Sequence, residues 1–193
     1  QAEAHAALML VYRSLDWDWK AAESEGERAL AIDPTNPDAL DNAGALSYTL
    51  GHWDKAERQF REAMVRDPLN TIVLWDLGVT YYLAGRFAES ENMLRRVLEL
   101  APHSAWAPSW LGKALLAQGK AKEALAMAQQ EADERERLGY LPIFLQAVGR
   151  QTEAAAALQA QIAQWADTCA LCIARTYAYR GDHDRALEWL ERA

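Results

Sequence analysis

Residues 37–70 read PDALDNAGALSYTLGHWDKAERQFREAMVRDPLN, and residues 71–104 read TIVLWDLGVTYYLAGRFAESENMLRRVLELAPHS. The two stretches align without a gap. Asn42-Ala43-Gly44 leads through Gly51, Trp53, Ala56, Phe60 and Ala63 to Pro68. Leu77-Gly78 leads in the same way through Tyr81, Gly85, Phe87, Ser90, Leu94 and Val97 to Pro102. Gly112 and Gly119 carry the spacing forward, and Trp17, Trp19, Ala22, Ala29 and Pro34 carry it back, so a 34-residue period holds across four units. A period of this length marks a stacked array of small structural units.

Each recurring position has a physical task. The small residues Gly44, Gly78 and Gly112 let two helices approach closely. Gly51, Gly85 and Gly119 fall where a first helix must end, and a left-handed residue closes it there without a Cβ penalty. Ala56 and Ala63 lie on one face of a second helix and allow a tight crossing. Pro34, Pro68 and Pro102 stop that helix and open the linker to the next unit. Each unit therefore reads as helix, short turn, helix. Neither helix buries its apolar stripe alone, so neighbouring units stack.

Composition agrees. The chain has 193 residues, 38 of them alanine, with 51% hydrophobic and 25% charged side chains. Few prolines and few β-branched residues favour helices over sheets. Twenty basic against 28 acidic side chains leave a net charge of -8. Residues 1–100 hold 17 acidic and 10 basic groups, whereas residues 101–193 hold 11 and 10, so electrostatic steering belongs to the first half. A chain this acidic offers no phosphate-binding face, and a nucleic-acid partner is not expected. No apolar run reaches membrane-spanning length, and two cysteines exclude a disulfide scaffold. A cytoplasmic protein is expected.

The pattern resembles the tetratricopeptide repeat (TPR) family. Residues 37–70 and 71–104 match its motif of large, small and turn residues well. Residues 3–36 match less well, because Leu10 and Trp17 replace the usual glycines. Residues 105–134 keep Gly112, Gly119 and Ala124 but lose the later small position and the proline. Beyond them the turn glycines Gly149 and Gly181 come at steps of 30 and 32. Two degenerate hairpins are expected near 137–164 and 167–193, carried by Ala154, Leu158, Ala186 and Leu190. Pro142 reads as a first-turn proline or a kink, and the charged run 131–137 as a helix end or linker. The implied fold is all-α: one right-handed superhelical solenoid of about six helix-turn-helix hairpins over residues 1–193, the last two irregular. Gln1 at the start, and a last hairpin without a polar capping helix, read as a fragment of a longer protein.

The resemblance implies a concave groove lined by the first helices, in which peptides bind. The groove positions are Asp38, Asp41, Asn42, Ala45 and Tyr48 in the second unit. In the third they are Ile72, Trp75, Asp76, Val79 and Tyr82, and in the fourth Trp106, Ser109, Trp110, Lys113 and Leu116. Aromatic side chains give contact area at modest entropic cost, and carboxylates fix a basic or amide-bearing ligand. The competing reading is that Trp75, Trp106 and Trp110 pack between units. Some family members bind a C-terminal carboxylate through a basic clamp. Here Asp41 and Trp75 stand where lysine is wanted and only Asn42 matches, so such a ligand is not expected.

The stretch Leu15 to Ala22, with Arg28-Ala29-Leu30 and Asp33-Pro34, resembles TPR regions of bacterial signalling proteins, adenylate cyclase-like or winged-helix regulators. Asp18 is placed to cap the following helix, and Trp17 and Trp19 to seal the hairpin. Cys169 and Cys172 form a CxxC with no preceding strand and no second ligand pair, and read as buried core cysteines. His5, His52, His103 and His183 lack a nucleophile or acid partner. No catalytic residue, cofactor or metal ligand is expected. The function implied is a non-enzymatic protein- or peptide-binding module. The alternative is a self-associating regulatory domain, a homodimer.

Overall fold

The computed structural model describes residues 1–193 as an all-α chain. Its helices are α1 (Ala2–Val11), α2 (Trp19–Ile32), α3 (Pro37–Thr49), α4 (Trp53–Arg66), α5 (Thr71–Leu83) and α6 (Phe87–Leu100). They continue as α7 (Ala107–Ala117), α8 (Ala121–Gln130), α9 (Glu134–Ala147), α10 (Gln151–Trp165), α11 (Ala170–Tyr179) and α12 (His183–Leu190). Successive helices pair as six hairpins, three in each of two compact units, Gln1–Pro102 and His103–Ala193. Within each unit the hairpins stack as the period calls for, and the irregular pairs lie at the termini. No helix is long and apolar enough to cross a membrane.

Local chemistry sets the helix limits. Asn36 Oδ1 accepts the Ala39 amide at 2.9 Å, and Asn70 Oδ1 accepts those of Ile72 and Val73 at 3.0 and 3.2 Å. These caps satisfy amides that a helix start otherwise orphans. Helices α2, α4 and α6 stop two residues before Pro34, Pro68 and Pro102. Five hairpin turns close on a left-handed glycine, and the first closes on Trp17 at φ 55°. There α1 runs into a π-helical turn, Tyr12–Asp16, before Trp17 reverses the chain and stacks edge-on against Trp19. Asp18 caps α2 by accepting the Ala21 amide at 2.9 Å.

In the first unit α1, α3 and α5 lie side by side as an inner layer. Helices α2 and α4 each pack on their own first helix and on that of the next hairpin. The core between the layers holds Leu40, Ala56, Phe60, Ala63, Val73, Leu77 and Tyr81. A Cβ on Gly44 would come within 2.6 Å of the Phe60 ring, so only glycine permits that crossing. The first hairpin solves the same problem differently. Leu10 is exposed where the period asks for a small residue, and the close approach falls on Gly26 of α2, against the Met9 sulfur.

In the second unit α7, α9 and α11 form the corresponding layer. The pairs α9–α10 and α11–α12 lie close to the degenerate hairpins read from the sequence. Pro142 lies well inside α9, which passes through it, so it is not a first-turn residue. A proline supplies no N–H to the carbonyl four residues back, here that of Leu138. Gln161 of α10, fully buried, donates Nε2 to the carbonyls of Leu138 and Gly139 at 3.4 and 3.3 Å. Thr176 holds the other end of that amide, its hydroxyl donating to Gln161 Oε1 at 3.1 Å. The side chains of a neighbouring hairpin thus meet the polar need that the proline creates.

The charged run 131–137 divides. Residues 131–133 link the helices and 134 onward begin α9. Glu131, at the position where the earlier units carry Ala63 and Val97, is buried. Its carboxylate accepts the backbone amides of Ser109, Asp133 and Trp106 at 3.1, 3.0 and 3.3 Å. Helix α7 begins after Trp106 in the left-handed region, φ 70°, with no cap from its own N-cap side chain. Glu131 caps it from the adjoining linker.

Candidate functional site

The first unit's inner layer gathers four ionisable groups. Arg13 comes from the π-helical turn after α1, Asp41 and Tyr48 from α3, and Asp76 from α5. Asp76 is buried, 6% exposed, and Asp41 is half-buried. Burial pushes the Asp76 carboxyl up to about 8, with the Asp41 charge adding to it and Arg13 opposing. Burial likewise lifts Asp41 to about 6, against the pull of Arg13. The Tyr48 phenol is raised by burial and by Asp76. Asp41 Oδ1 and Arg13 Nε are buried and make no hydrogen bond. One guanidinium is therefore set against two carboxylates, and an acceptor with unused capacity sits among them.

The remaining candidates of this unit surround that cluster. Asp38 and Ile72 are exposed, Trp75 and Tyr82 half-buried, and Tyr82 packs on Phe87 at 5.6 Å. Asn42 is buried, its amide donating to the Asp38 carbonyl at 2.9 Å, and Val79 is buried in the core. Arg13 was missed from sequence. It belongs to the first repeat, whose π turn displaces it from the positions that the period marks.

Among the second unit's candidates Trp106 is half exposed, Trp110 is half-buried and Lys113 is 6% exposed. The Lys113 ammonium lies 3.7 Å from the Trp110 ring centre and 4.1 Å from that of Tyr140, with Glu136 Oε2 at 3.7 Å. Burial lowers it to about 8, opposed by Glu136. Lys113 therefore serves as a cation held between aromatic faces. Tyr140 also takes Arg175, 3.7 Å over its ring, whose Nη1 donates to its hydroxyl at 2.5 Å.

The cysteines differ from the core reading. Cys169 is the N-cap of α11 and Cys172 lies in its first turn, and the two are disulfide-bonded with Cα atoms 5.3 Å apart. Both are half-buried. The core-facing positions of α11 are Ala170, Ile173, Ala174 and Tyr177, which leaves the cysteines on the flank of the helix. His5 is tied to Glu25, Nδ1 to Oε2 at 2.6 Å, while His52 and His183 fall at the starts of α4 and α12. No three His, Cys, Asp or Glu side chains converge as a metal site.

Sequence profiles described as tetratricopeptide repeat match residues 43–105, 81–134 and 168–193. No curated protein matches the chain. Among solved structures the chain is similar to Pseudomonas aeruginosa pilF, at 21% identity over 97% of this chain and 88% of that one, TM-score 0.74. It is similar to TTC0263, a thermophilic TPR protein of Thermus thermophilus, at 20% identity over 97% of this chain and all of that one (100%), TM-score 0.74. It also resembles YrrB, described as a TPR protein with an unusual peptide-binding site, at 19% identity over 86% of this chain and 89% of that one, TM-score 0.61. These likenesses concern the fold alone. With the 34-residue period, the paired helices and the matched profiles, the chain belongs to the tetratricopeptide repeat family.

Proposed function

We propose that the chain is a non-catalytic docking module whose first unit binds an extended peptide segment of a partner protein on the inner face of α1, α3 and α5. The observation that carries this reading is the Arg13–Asp41–Tyr48–Asp76 cluster, with Asp41 Oδ1 buried and bonded to nothing. A buried acceptor with unused capacity is costly alone and is relieved by a ligand donor. A lysine, arginine or amide side chain supplies that donor, and the ligand is therefore basic or amide-bearing. Half-buried Trp75 and Tyr82 and exposed Ile72 offer the apolar contact beside it. YrrB, a protein of the same fold, is described as carrying a peptide-binding site.

Selection of a displayed peptide library on the purified chain tests this. Lysine- or arginine-bearing peptides are expected to be enriched. Asp41→Asn and Trp75→Ala are each expected to weaken the selected peptides about tenfold, the scale of one lost anchor. Undiminished capture by a folded Trp75→Ala variant would refute the groove.

A second reading, self-association, is favoured by Leu171, Tyr179, Leu187 and Leu190, all exposed on the last hairpin. Sedimentation over a concentration series distinguishes it, since a strict monomer at high concentration rules it out. Kinship with bacterial cyclase-like or winged-helix signalling proteins rests on the Leu15–Ala22 stretch and is tested by sequencing the full-length gene. Cytoplasmic placement is tested by fractionation.

A further inference from the structure

The CxxC of the second unit stands in unusual surroundings for a structural bond. Cys169 and Cys172 line a cleft of about 440 Å³ together with Trp106, Tyr140, Glu136 and Arg175. Arg135 also reaches this cleft, and its Nη2 donates to the carbonyl of Thr168, next to Cys169, at 3.3 Å. Both half-buried cysteines therefore border an open pocket whose charged lining is balanced, Arg135 and Arg175 against Asp133 and Glu136. The bond closes a single helical turn and joins no distant segments, so it constrains the unfolded chain little. Cys169 sits at the N-cap of α11 and its side chain makes no capping hydrogen bond. A thiolate placed there meets the unsatisfied amides and positive end of the helix, the setting that favours thiolates over thiols.

We propose that Cys169–Cys172 is a reversible thiol–disulfide exchange site, open to a dithiol in this cleft. The thiolate of the incoming dithiol attacks the Cys172 sulfur and forms a mixed disulfide with it. The Cys169–Cys172 bond breaks, and Cys169 leaves as the thiolate stabilised at the helix start. The second thiol of the reductant then closes onto its own sulfur and releases Cys172. Two electrons and two protons pass from the dithiol to the protein, and the reductant departs as its cyclic disulfide. The reverse reaction, with an oxidised dithiol, restores the bond. The exchange is stoichiometric and turns over no other substrate. It is independent of the peptide-binding reading, which concerns the first unit.

Full-length protein incubated without denaturant in dithiothreitol, then alkylated and weighed, tests the site. Oxidised protein is expected to gain no label before reduction and two labels after it. The rate should rise in proportion to dithiothreitol while circular dichroism holds its helical signal. Reduced protein returned to oxidised dithiothreitol should lose both reactive thiols. Single-cysteine variants read the assignment of the leaving thiolate. Cys172→Ser, which keeps the thiol at the helix start, is expected to alkylate about three- to fivefold faster at neutral pH than Cys169→Ser. Reduction only in denaturant, or at a rate independent of dithiol concentration, would show a bond reached only through unfolding and would overturn the proposal. Failure of the folded, reduced chain to re-form the bond would do the same. Equal alkylation of the two variants would overturn the assignment of Cys169.

Discussion

Asp76 shows most clearly how one side chain here carries a thermodynamic signature. It titrates near 8 in the folded chain, against about 3.9 in an unfolded one. Between those values the folded state holds a proton that the unfolded state has lost, so this group makes stability fall as pH rises. Its contribution is most favourable below the unfolded value and levels off above the folded one. Asp41 adds a weaker slope of the same sign up to about 6. Asp76→Asn removes the buried charge while keeping the shape. The variant is expected to be more stable than the parent by about 5 kcal/mol at pH 8, and nearly equal to it near pH 4. Urea unfolding at several pH values measures the difference, and a gap that does not close on acidification would contradict the assignment. Trp17 is the other residue under tension. It occupies a left-handed turn position that glycine fills in the other five hairpins, and it is 69% exposed.

At the level of elements, α9 and α10 depend on one another through Pro142 and Gln161. Gln161→Leu deletes the donor and leaves the part-buried Leu138 carbonyl unmet. A loss of about 2 kcal/mol is expected. In a Pro142→Ala background the helix recovers its own N–H, and the same substitution should cost about 1 kcal/mol less. A double-mutant cycle read by denaturant midpoints measures that coupling, and strict additivity would show that the glutamine serves packing alone. Glu131 works between elements in a similar way, since it caps α7 from a linker.

These two devices mark the boundary of what the sequence discloses. Some helix limits were legible because their causes are local, in Asp18 and the three linker prolines, while the equally local caps Asn36 and Asn70 were not read from the sequence. The small residue Gly44 was legible because a period repeats it. Gln161 and Glu131 carried no local sign. Each answers an orphaned backbone group some twenty residues away, and only the fold brings donor and acceptor together. The cysteines misled for a related reason. Their spacing announces a pair, but which side of α11 faces the core depends on the packing of that helix against α9 and α10. Asp41 and Asp76 were singled out in the sequence as candidates, whereas Arg13 was hidden by the π turn.

For the whole molecule, the two compact units each have their own inner layer and core. In repeat arrays stability is nearly a sum of local terms and nearest-neighbour terms. Perturbations are therefore expected to stay near their origin. In Gln161→Leu, amide hydrogen exchange should accelerate chiefly among residues 103–193 and leave the protected amides of α3 and α5 close to parental rates. Uniform acceleration along the chain, followed by mass spectrometry of peptic fragments, would show a single cooperative block instead.

The Pro142–Gln161 pairing also restricts the order in which such a sequence can change. A glutamine arriving first meets Thr176 and an intact helix, and costs little. A proline arriving first passes through a chain with a stranded carbonyl. Once both are present the glutamine is no longer free to drift, although it touches no ligand. Related chains that keep the proline should keep the glutamine or replace it with another donor, and those that lack the proline should vary there. Constancy at position 161 would then record an ancestral debt of the backbone and give no sign of a binding role.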